Sequence, residues 1–367
     1  MQVKAAVARA NCPEFSVENL SLDSPRSDEI LIRVSGVGIC HTDIVMKGGV
    51  MPGTPAVFGH EGAGIVEKIG DAVTKVKSGD RVAITFRSCG TCAQCRAGHP
   101  AYCGAMASLN FSGARPDSST TLRTDEHRVA SNFFGQSSFA NYCLAYERNV
   151  VKISDEVPLE IAGPLGCGVQ TGAGAVMRVL SCDPGSSILI LGGGTVGLSA
   201  VLGARVQCCS TIIVVEPHAA RRTLASELGA THVIDPAIET DLSAAVRAIA
   251  PEGVNFAVDT SGVPKVQSAA MACLAHRGIL GLVAISPPGT PVPGDLMSLT
   301  ISGQSVKGII EGDSDPDVFI PELIGLYLEG RFPFDRLVKT YPLREINQAI
   351  ADQHSGTCIK AVLLPWD

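Results

Sequence analysis

Four cysteines occur within fifteen residues of this 367-residue chain, at a spacing that suits a metal ion. Thiolates at such short intervals can close a tetrahedron around one zinc ion. Four sulfur ligands leave no open coordination position, so we expect this site to be structural. Four free, reduced thiols are a much weaker interpretation of this spacing. The ligands of the predicted structural zinc are Cys89, Cys92, Cys95 and Cys103.

Cysteine and histidine also recur outside this cluster, far apart in the sequence. Cys40 and His60 lie in the first part of the chain, and Cys167 follows much later. Two sulfurs and one imidazole nitrogen would leave a fourth position open, as in a catalytic zinc site. Spacing alone is equally compatible with core cysteines and a hydrogen-bonded turn histidine, because it does not show that these residues meet.

A glycine-rich segment joins an apolar strand to a helix. SSILIL is followed by GGGTVG at residues 192–197, which is a GxGxxG pattern, and an acid follows nineteen residues later at Glu216. Gly192 would form the tight turn, Gly194 would let a pyrophosphate approach the backbone, and Gly197 would let the helix pack on the strand. The pattern predicts a dinucleotide site, and a plain glycine-rich turn is the weaker alternative.

Glu216 selects between the two nicotinamide cofactors. A carboxylate there can accept both ribose hydroxyls of NAD, and it would repel the 2′-phosphate of NADP. Arg221 and Arg222 follow downstream and would tolerate that phosphate. The pattern therefore favours NAD, with NADP less favoured. A solvated acid at the end of a strand remains the other interpretation of Glu216.

Composition excludes several classes of protein. The net charge of −7 argues against a nucleic-acid partner, which would require clustered lysine and arginine. The opening MQVKAAVARANCPEF has no apolar export signal, so the thirteen cysteines indicate reduced thiols and we expect a cytoplasmic protein. The uncharged run at residues 186–204 approaches membrane-spanning length, but its five glycines favour the nucleotide loop, and we expect no membrane span.

The elements that must position these residues change along the chain. About the first 150 residues contain short Val- and Ile-rich segments between Gly, Pro, Asp and Ser, which predicts β-structure. Glycines and prolines at residues 48–55 predict a loop, and the polar stretch at 112–125 predicts an exposed one. From about Pro184, strands alternate with helices, which is typical of a doubly wound parallel sheet.

Five segments come in the order found in a known enzyme family. GICHTD near residue 40, GHEGAG near 60, the cysteine cluster near 95, GCGVQTGAGAV near 170 and GGGTVG near 195 make the chain resemble zinc-containing medium-chain alcohol dehydrogenases along nearly its whole length. FFGQSSFANY, PLGCGVQTGAG, FIPEL and RFPFDRLVK are most similar to the bacterial benzyl (aryl) and geraniol-type members. The resemblance implies oxidation of a primary aromatic or allylic alcohol to the aldehyde, with NAD accepting the hydride.

The resemblance also implies a fold and a domain organisation. We expect an α/β protein with a GroES-like β-rich catalytic domain over residues 1–160 and 300–367. A Rossmann NAD-binding domain, with a doubly wound parallel sheet, would occupy residues 161–299. VKGII near the end of that sheet would pair with its copy in a homodimer or homotetramer.

Residue roles follow from the same resemblance. Thr42 matches the hydroxyl that takes the substrate proton, Asp43 the carboxylate that orients the ligand histidine, and Glu61 an acid that approaches the metal during ligand exchange. The implied cofactors are two zinc ions per chain and NAD. Cys40, His60 and Cys167 match the catalytic zinc ligands. The residues that match cofactor contacts are His41, Gly192, Gly194, Thr195, Val196, Gly197, Glu216 and Arg221.

One position departs from the family pattern. Many members carry a histidine five residues after the first ligand cysteine, at the outer end of a proton relay, and this chain has Val45 there. The aryl-alcohol members are similar in lacking that histidine. Apolar walls for a flat substrate would come from phenylalanines, of which Phe139 matches best. The candidates are Phe111, Phe133, Phe134 and Phe139.

Three other functions fit parts of the pattern. A zinc-linked dehydrogenase for short-chain alcohols, polyols or thiol adducts would share every motif. An inactive zinc- and nucleotide-binding protein would keep the glycine loop, but the intact Cys40, Thr42, His60 and Cys167 argue against it. A zinc-ribbon nucleic-acid binder would rest on the four-cysteine cluster alone, and the acidic charge balance disfavours it.

Overall fold

The computed structural model describes residues 1–48 and 55–367, so most of the loop predicted at 48–55 lies outside the described residues. The chain forms two compact units. The first comprises Met1–Gly168, Ser314–Glu329 and Asp335–Asp367, and the second comprises Val169–Asp313 and Gly330–Phe334.

The boundaries of these units differ from the predicted residues 160 and 299. Residues 159–166 pack on strands of the first unit, which moves the first boundary to Gly168. Residues 305–308 add a strand to the sheet of the second unit, which moves the other boundary to Asp313.

The strands in the described residues are β1 (Gln2–Ala8), β2 (Ser16–Leu22), β3 (Glu29–Gly38), β4 (Ala56–Val57), β5 (Glu61–Ile69), β6 (Arg81–Ile84), β7 (Leu122–Arg123), β8 (Arg128–Val129), β9 (Tyr142–Tyr146), β10 (Val150–Lys152), β11 (Ser187–Leu191), β12 (Thr211–Val215), β13 (His232–Ile234), β14 (Val254–Asp259), β15 (Leu274–Leu282), β16 (Ser305–Gly308), β17 (Val338–Pro342) and β18 (Lys360–Leu364).

The α-helices there are α1 (His41–Lys47), α2 (Ala93–Arg96), α3 (Met106–Asn110), α4 (Leu159–Ala162), α5 (Gly168–Gly174), α6 (Thr195–Val206), α7 (Ala219–Leu228), α8 (Leu242–Ile249), α9 (Pro264–Cys273), α10 (Leu296–Ser302), α11 (Pro316–Leu328) and α12 (Ile346–Ser355). Short 3-10 turns and one π-helical segment at Ala175–Leu180 connect them. In the described part of the chain, none of the helices combines the length and the apolar character that crossing a bilayer requires.

Among the described residues, the first unit contains two β-sheets, in agreement with the β-structure predicted from its short Val- and Ile-rich segments. The five-stranded sheet has the order β4-β1-β2-β7-β8, and the other has the order β10-β6-β5-β3-β18-β17 with β9 also paired to β3. In β3, Ile30, Ile32 and Val34 are completely buried, because every second side chain of the strand faces the core.

The polar stretch at 112–125 is not entirely an exposed loop. Arg115 is buried, and its Nε and Nη2 atoms donate to the two carboxylate oxygens of Glu29 at 2.6 and 3.0 Å. Asp23 accepts a further bond from Nη1 at 3.0 Å. A buried guanidinium needs such charged partners, so this ion pair anchors the loop to the start of β3.

The second unit is a six-stranded parallel sheet with the order β13-β12-β11-β14-β15-β16. The central strands are apolar on both faces because helices cover both faces of such a sheet. Leu189, Ile213, Ala257 and Leu280, from four adjacent strands, form part of its core. The predicted doubly wound parallel sheet is therefore confirmed, and its strand order is the one that dinucleotide-binding sheets use.

Candidate active site

Strand pairing brings Cys40 and His60 together. β3 and β5 are antiparallel neighbours, and Gly38 at the end of β3 lies opposite Glu61 at the start of β5. Cys40 comes two residues after β3, and His60 comes directly before β5. The two residues, twenty positions apart in sequence, therefore lie next to each other at the same end of this strand pair.

Cys167 reaches the same place through close packing of glycines. It follows the 3-10 turn Gly163–Gly166, whose glycines lie against the edges of β5 and β6. A Cβ atom on Gly163 would collide with the carbonyl oxygen of Glu61, and one on Gly166 with that of Ile84. Only residues without a side chain allow this approach, so Gly163 and Gly166 determine where the cysteine lies.

Cys40, His60, Glu61 and Cys167 form one cluster, with a candidate ligand atom from each residue within 4.8 Å of the others. His60 is completely buried, and its Nε2 atom makes no hydrogen bond to any residue that the structure describes. The Cys167 thiol and the nearby imidazole hold the pKa of Cys40 well below its usual value. A buried, unpartnered ring nitrogen beside two cysteine sulfurs is what a zinc ion would complete.

Asp43 connects the two segments that carry these residues. Its Oδ1 lies 2.9 Å from Nδ1 of His60 and accepts the backbone N–H of Gly59 at 2.9 Å. Its Oδ2 accepts the backbone N–H of Cys40 at 3.0 Å. Because Nδ1 is engaged, the carboxylate orients the imidazole so that Nε2 points to the cluster.

Lys360 is a site residue that the sequence analysis missed. It is only 2% exposed, and its Nζ donates to both oxygens of Glu61 at 3.0 and 2.8 Å and to the carbonyl of Ile39 at 2.8 Å. Burial disfavours the ammonium, yet the Glu61 carboxylate keeps the pKa of Lys360 above its usual value. A single lysine inside the apolar strand IKAVLL is the signal that would have indicated it.

Aromatic rings enclose the imidazole. Phe134 stacks on His60 with a centroid distance of 4.3 Å, and Phe133 meets the ring edge-on at 5.5 Å. Phe111 packs against both phenylalanines. Phe139, the preferred candidate for the substrate wall, lies against Gly59, and its ring contacts that of Phe15 with a centroid distance of 5.9 Å.

Gln136 was not predicted either, although it lies within FFGQSSFANY. Its amide nitrogen donates to the carbonyl of His60 at 2.8 Å, and its oxygen accepts the N–H of Gly62 at 3.1 Å. The backbone on both sides of Glu61 is thereby fixed. A buried glutamine with both ends bonded is a positioning residue, not a candidate ligand.

Helix α1 carries the remaining predicted residues of this group. Thr42 is partly exposed, with Oγ1 3.7 Å from Sγ of Cys40. His41 and Val45 are exposed on the same helix. A hydroxyl thus lies next to a candidate ligand sulfur, while the position of the missing relay histidine faces outward.

The four-cysteine cluster forms a second, separate group with ligand atoms within 4.8 Å of one another. Sγ of Cys89 lies 3.9 Å from Sγ of Cys95. Backbone and hydroxyl bonds from Thr91, with a backbone bond from Cys92, lower the pKa of Cys89 to about 5. Backbone donors also lower the pKa of Cys92. Burial and the Cys92 side chain instead raise the pKa of Cys95 to about 11. It is the short spacing of four sulfur atoms that suits a tetrahedral metal.

The glycine loop lies in the second unit, between β11 and α6. Gly192 has a φ of +104°, which favours glycine, and a Cβ atom on Gly197 would collide with the carbonyl oxygen of Gly192. A Cβ atom on Gly194 would meet nothing within 4 Å. Two glycines are therefore required by the fold, and the third leaves open space at the helix N-terminus where a phosphate would fit.

Glu216 follows β12 and is buried beside this loop. Oε2 accepts the N–H of Gly193 at 2.7 Å, and Oε1 accepts the N–H and lies 2.7 Å from Nδ1 of His218. Arg222 binds the carbonyl oxygens of Glu216 and Pro217, and it pairs with Asp235. Arg221 lies in the first turn of α7. The involvement of His218 was not predicted, because neither spacing nor the family pattern indicates it.

Family models and known proteins match the chain over most of its length. The alcohol dehydrogenase GroES-like domain matches residues 26–155, and the zinc-binding dehydrogenase family matches residues 195–326. Geraniol dehydrogenase of Castellaniella defragrans is 46% identical over 365 residues, which cover 99% of this chain and 98% of that protein. S-(hydroxymethyl)glutathione dehydrogenase of Saccharomyces cerevisiae is 33% identical over 373 residues, covering 98% and 95%.

Two solved structures are similar over the full chain. Benzyl alcohol dehydrogenase from Acinetobacter calcoaceticus has a TM-score of 0.95 at 42% identity, with 99% of both chains covered. An alcohol dehydrogenase zinc-binding domain protein from Burkholderia ambifaria has a TM-score of 0.96 at 48% identity, covering 100% of this chain and 99% of that one. The chain therefore belongs to the zinc-dependent medium-chain alcohol dehydrogenase family, whose members are oxidoreductases that act on CH–OH groups.

Proposed function

We propose that the protein oxidises a primary aromatic or allylic alcohol, of the benzyl alcohol or geraniol type, to the aldehyde with NAD as hydride acceptor. The observation that carries this proposal is the buried cluster of two thiols and an imidazole whose Nε2 has no hydrogen-bond partner among the described residues. The similarity of the chain to a geraniol dehydrogenase and to a benzyl alcohol dehydrogenase supports the substrate class.

Two zinc ions per chain are part of the proposal. Cys40, His60 and Cys167 would hold the catalytic ion, and the four-cysteine cluster would hold the structural one. Zinc, when bound, supplies a Lewis acid that lowers the pKa of an alcohol hydroxyl. Asp43 would keep the His60 tautomer suitable for ligation, since it engages Nδ1. Glu61, held by Lys360, would be the acid next to that ion.

Thr42 would take the hydroxyl proton of the substrate. Its Oγ1 atom lies 3.7 Å from Sγ of Cys40, a residue that would hold the metal, so this hydroxyl would be available to an alcohol bound there. Val45 carries no exchangeable proton, so Thr42, which is partly exposed, would release its own hydroxyl proton toward water as it accepts that of the substrate. The rings of Phe111, Phe133 and Phe134 would provide apolar surface near His60 for a flat substrate.

The glycine loop and its neighbours would bind NAD, with NADP as the weaker alternative. Nicotinamide, when bound, supplies the carbon that accepts the hydride. The space beside Gly194 supports binding of the pyrophosphate, with Thr195 and Val196 opening the helix whose N-terminus favours negative charge. His41 and Arg221 would contribute positive or hydrogen-bonding groups to the cofactor.

The proposal includes a homodimer or homotetramer and a cytoplasmic location. β16 is the edge strand of the parallel sheet in the described residues, and an exposed edge can pair with a second copy. All thirteen cysteines are free of disulfide bonds, as is usual in a reducing compartment. Light scattering tests the first point, and a monomer at working concentration would contradict it.

Zinc content and a turnover panel test the proposed function. We expect two zinc ions per chain by elemental analysis, and higher kcat/KM with benzyl alcohol or geraniol than with ethanol or sorbitol, with NAD preferred to NADP. Thr42→Val should lower kcat about 10²- to 10⁴-fold because it removes the proton acceptor, whereas Thr42→Ser should retain most activity. Two zinc ions without turnover of any alcohol would favour the inactive binding protein, and preference for ethanol or sorbitol would overturn the substrate class.

A further inference from the structure

The carboxylate of Glu216 has few acceptor positions left. Two carboxylate oxygens offer about four lone-pair sites in all. Gly193 uses one on Oε2 at 2.7 Å, and His218 uses two on Oε1, through its backbone N–H at 2.8 Å and its ring Nδ1 at 2.7 Å. Oε1 is therefore saturated, and Oε2 can accept one further hydrogen bond.

This arrangement conflicts with two-point recognition of a ribose. A strand-end acid that recognises NAD accepts hydrogen bonds from the ribose hydroxyls. Glu216 can accept hydrogen bonds from both ribose hydroxyls only if the imidazole of His218 leaves Oε1, because the backbone N–H of His218 is fixed in place. That movement is open to the ring, since the His218 side chain is 41% exposed whereas that of Glu216 is 3% exposed.

The contact also compensates the charge of the carboxylate. A neutral imidazole donates an N–H to Glu216, and a protonated one forms an ion pair with it, so either form reduces the repulsion of a nearby anion. Arg222 is already bonded to two backbone carbonyls and to Asp235 at 2.7 Å. Arg221 adds a second cation in the first turn of α7.

We propose that His218 is a specificity-determining residue, which competes with the adenosine ribose for Glu216 and thereby weakens the discrimination between NAD and NADP. When NAD binds, the ring leaves Oε1 and the ribose hydroxyl replaces it. When NADP binds, the ring stays on Glu216 and offsets the repulsion of the 2′-phosphate. This inference rests on the proposed function, because it assumes that the glycine loop binds a nicotinamide dinucleotide.

Equilibrium binding tests the proposal apart from catalysis. Dissociation constants for NADH and NADPH would be measured by fluorescence titration with the zinc-loaded wild type, His218→Ala, His218→Asn and His232→Ala. His232 is an exposed histidine on β13 whose ring nitrogen contacts Thr231, so it serves as the matched control. Thermal unfolding of each variant reports whether it is folded.

We expect His218→Ala to bind NADH more tightly and NADPH more weakly. The ratio of the dissociation constant for NADPH to that for NADH should rise about tenfold, which corresponds to about 1.4 kcal/mol. His218→Asn, whose amide retains a donor, should give an intermediate ratio, and His232→Ala should match the wild type. Weaker NADH binding by His218→Ala, or a ratio equal to that of the wild type, would overturn the proposal. Wild-type protein that binds neither dinucleotide would overturn the proposed function together with it.

Discussion

Lys360 donates to both carboxylate oxygens of Glu61, although 299 positions separate the two residues in the sequence. Neither side chain is exposed by more than 2%. The pair lies directly beside the imidazole and thiol cluster of the active site. Strand β18 therefore supplies the counter-charge for an acid on β5, and the last residues of the chain complete a site that begins at Cys40.

Removing one partner of this pair should destabilise the protein strongly. Lys360→Met leaves the Glu61 carboxylate buried without its cation, and we expect a loss of about 3–5 kcal/mol in the free energy of unfolding. The double variant Lys360→Met/Glu61→Gln should recover much of the lost stability, because the uncompensated charge disappears. Urea unfolding measures both variants. The matched control is Arg33→Met, since Arg33 and its partner Glu67 have side chains that are 36% and 40% exposed. A loss as large there would contradict the prediction.

The four-cysteine cluster should bind one zinc ion independently of the active site. Cys95→Ser removes one of four ligands, so zinc should fall from two ions per chain to one and the melting temperature should drop. Elemental analysis and calorimetry give the two readouts. Cys12→Ser, at an exposed cysteine outside both clusters, should keep two ions. Full zinc content in Cys95→Ser would exclude this cluster as a metal site.

Two glycines of the nucleotide loop should respond differently to the same substitution. Gly194→Ala places a methyl group in open space, so the variant should fold normally but bind NADH at least about tenfold more weakly, because the methyl occupies the approach of the pyrophosphate. Gly197→Ala collides with the backbone of Gly192 and should lower the melting temperature instead. Calorimetry and NADH titration separate the two effects. Unchanged NADH affinity in Gly194→Ala would argue against a pyrophosphate at this loop.

The buried pair of Arg115 and Glu29 should contribute stability that depends on pH. Burial raises the pKa of Glu29, but hydrogen bonds from Arg115 and the backbone of Arg26 outweigh it, so the pKa lies below its usual value. We expect Arg115→Met to cost about 3–5 kcal/mol at pH 7. Because the pKa is lower in the folded state, the ionised carboxylate stabilises the protein at pH values above the unfolded-state pKa of about 4.3. This contribution is lost as the pH falls through the folded-state pKa.

Unfolding at pH 7 and below pH 4 tests this dependence. The difference between wild type and Arg115→Met should shrink at the lower pH, because protonated Glu29 no longer needs its cation. Arg26→Met removes a surface cation that pairs with Asp117, and it should cause a much smaller loss at either pH. If the difference in unfolding free energy between wild type and Arg115→Met grew as the pH fell, the lowered pKa of Glu29 would be contradicted.

Local patterns in the sequence determined much of the fold. Short Val- and Ile-rich segments between turn residues predicted β-strands such as β3, because such side chains fit a pleated, half-buried surface. Strands alternating with helices predicted the parallel sheet. The four-cysteine cluster was predictable for a similar reason, since all its ligands lie within one short segment. The glycine loop was predictable because the turn and the close packing each require glycine at fixed spacing.

Only the tertiary structure decided which distant residues meet. Cys40, His60 and Cys167 were joined by a family pattern, while the pairing of β3 with β5 and the packing of Gly163 and Gly166 bring them together. The partner of Lys360 could not be predicted, since a lysine in an apolar strand indicates a buried charge but not the strand neighbour that pairs with it. His218 was missed although it lies two residues from Glu216, because spacing does not record the turn that brings its ring back to the carboxylate. Local spacing determines elements, whereas contacts between elements depend on sheet order and close packing, and these exist only once the chain has folded.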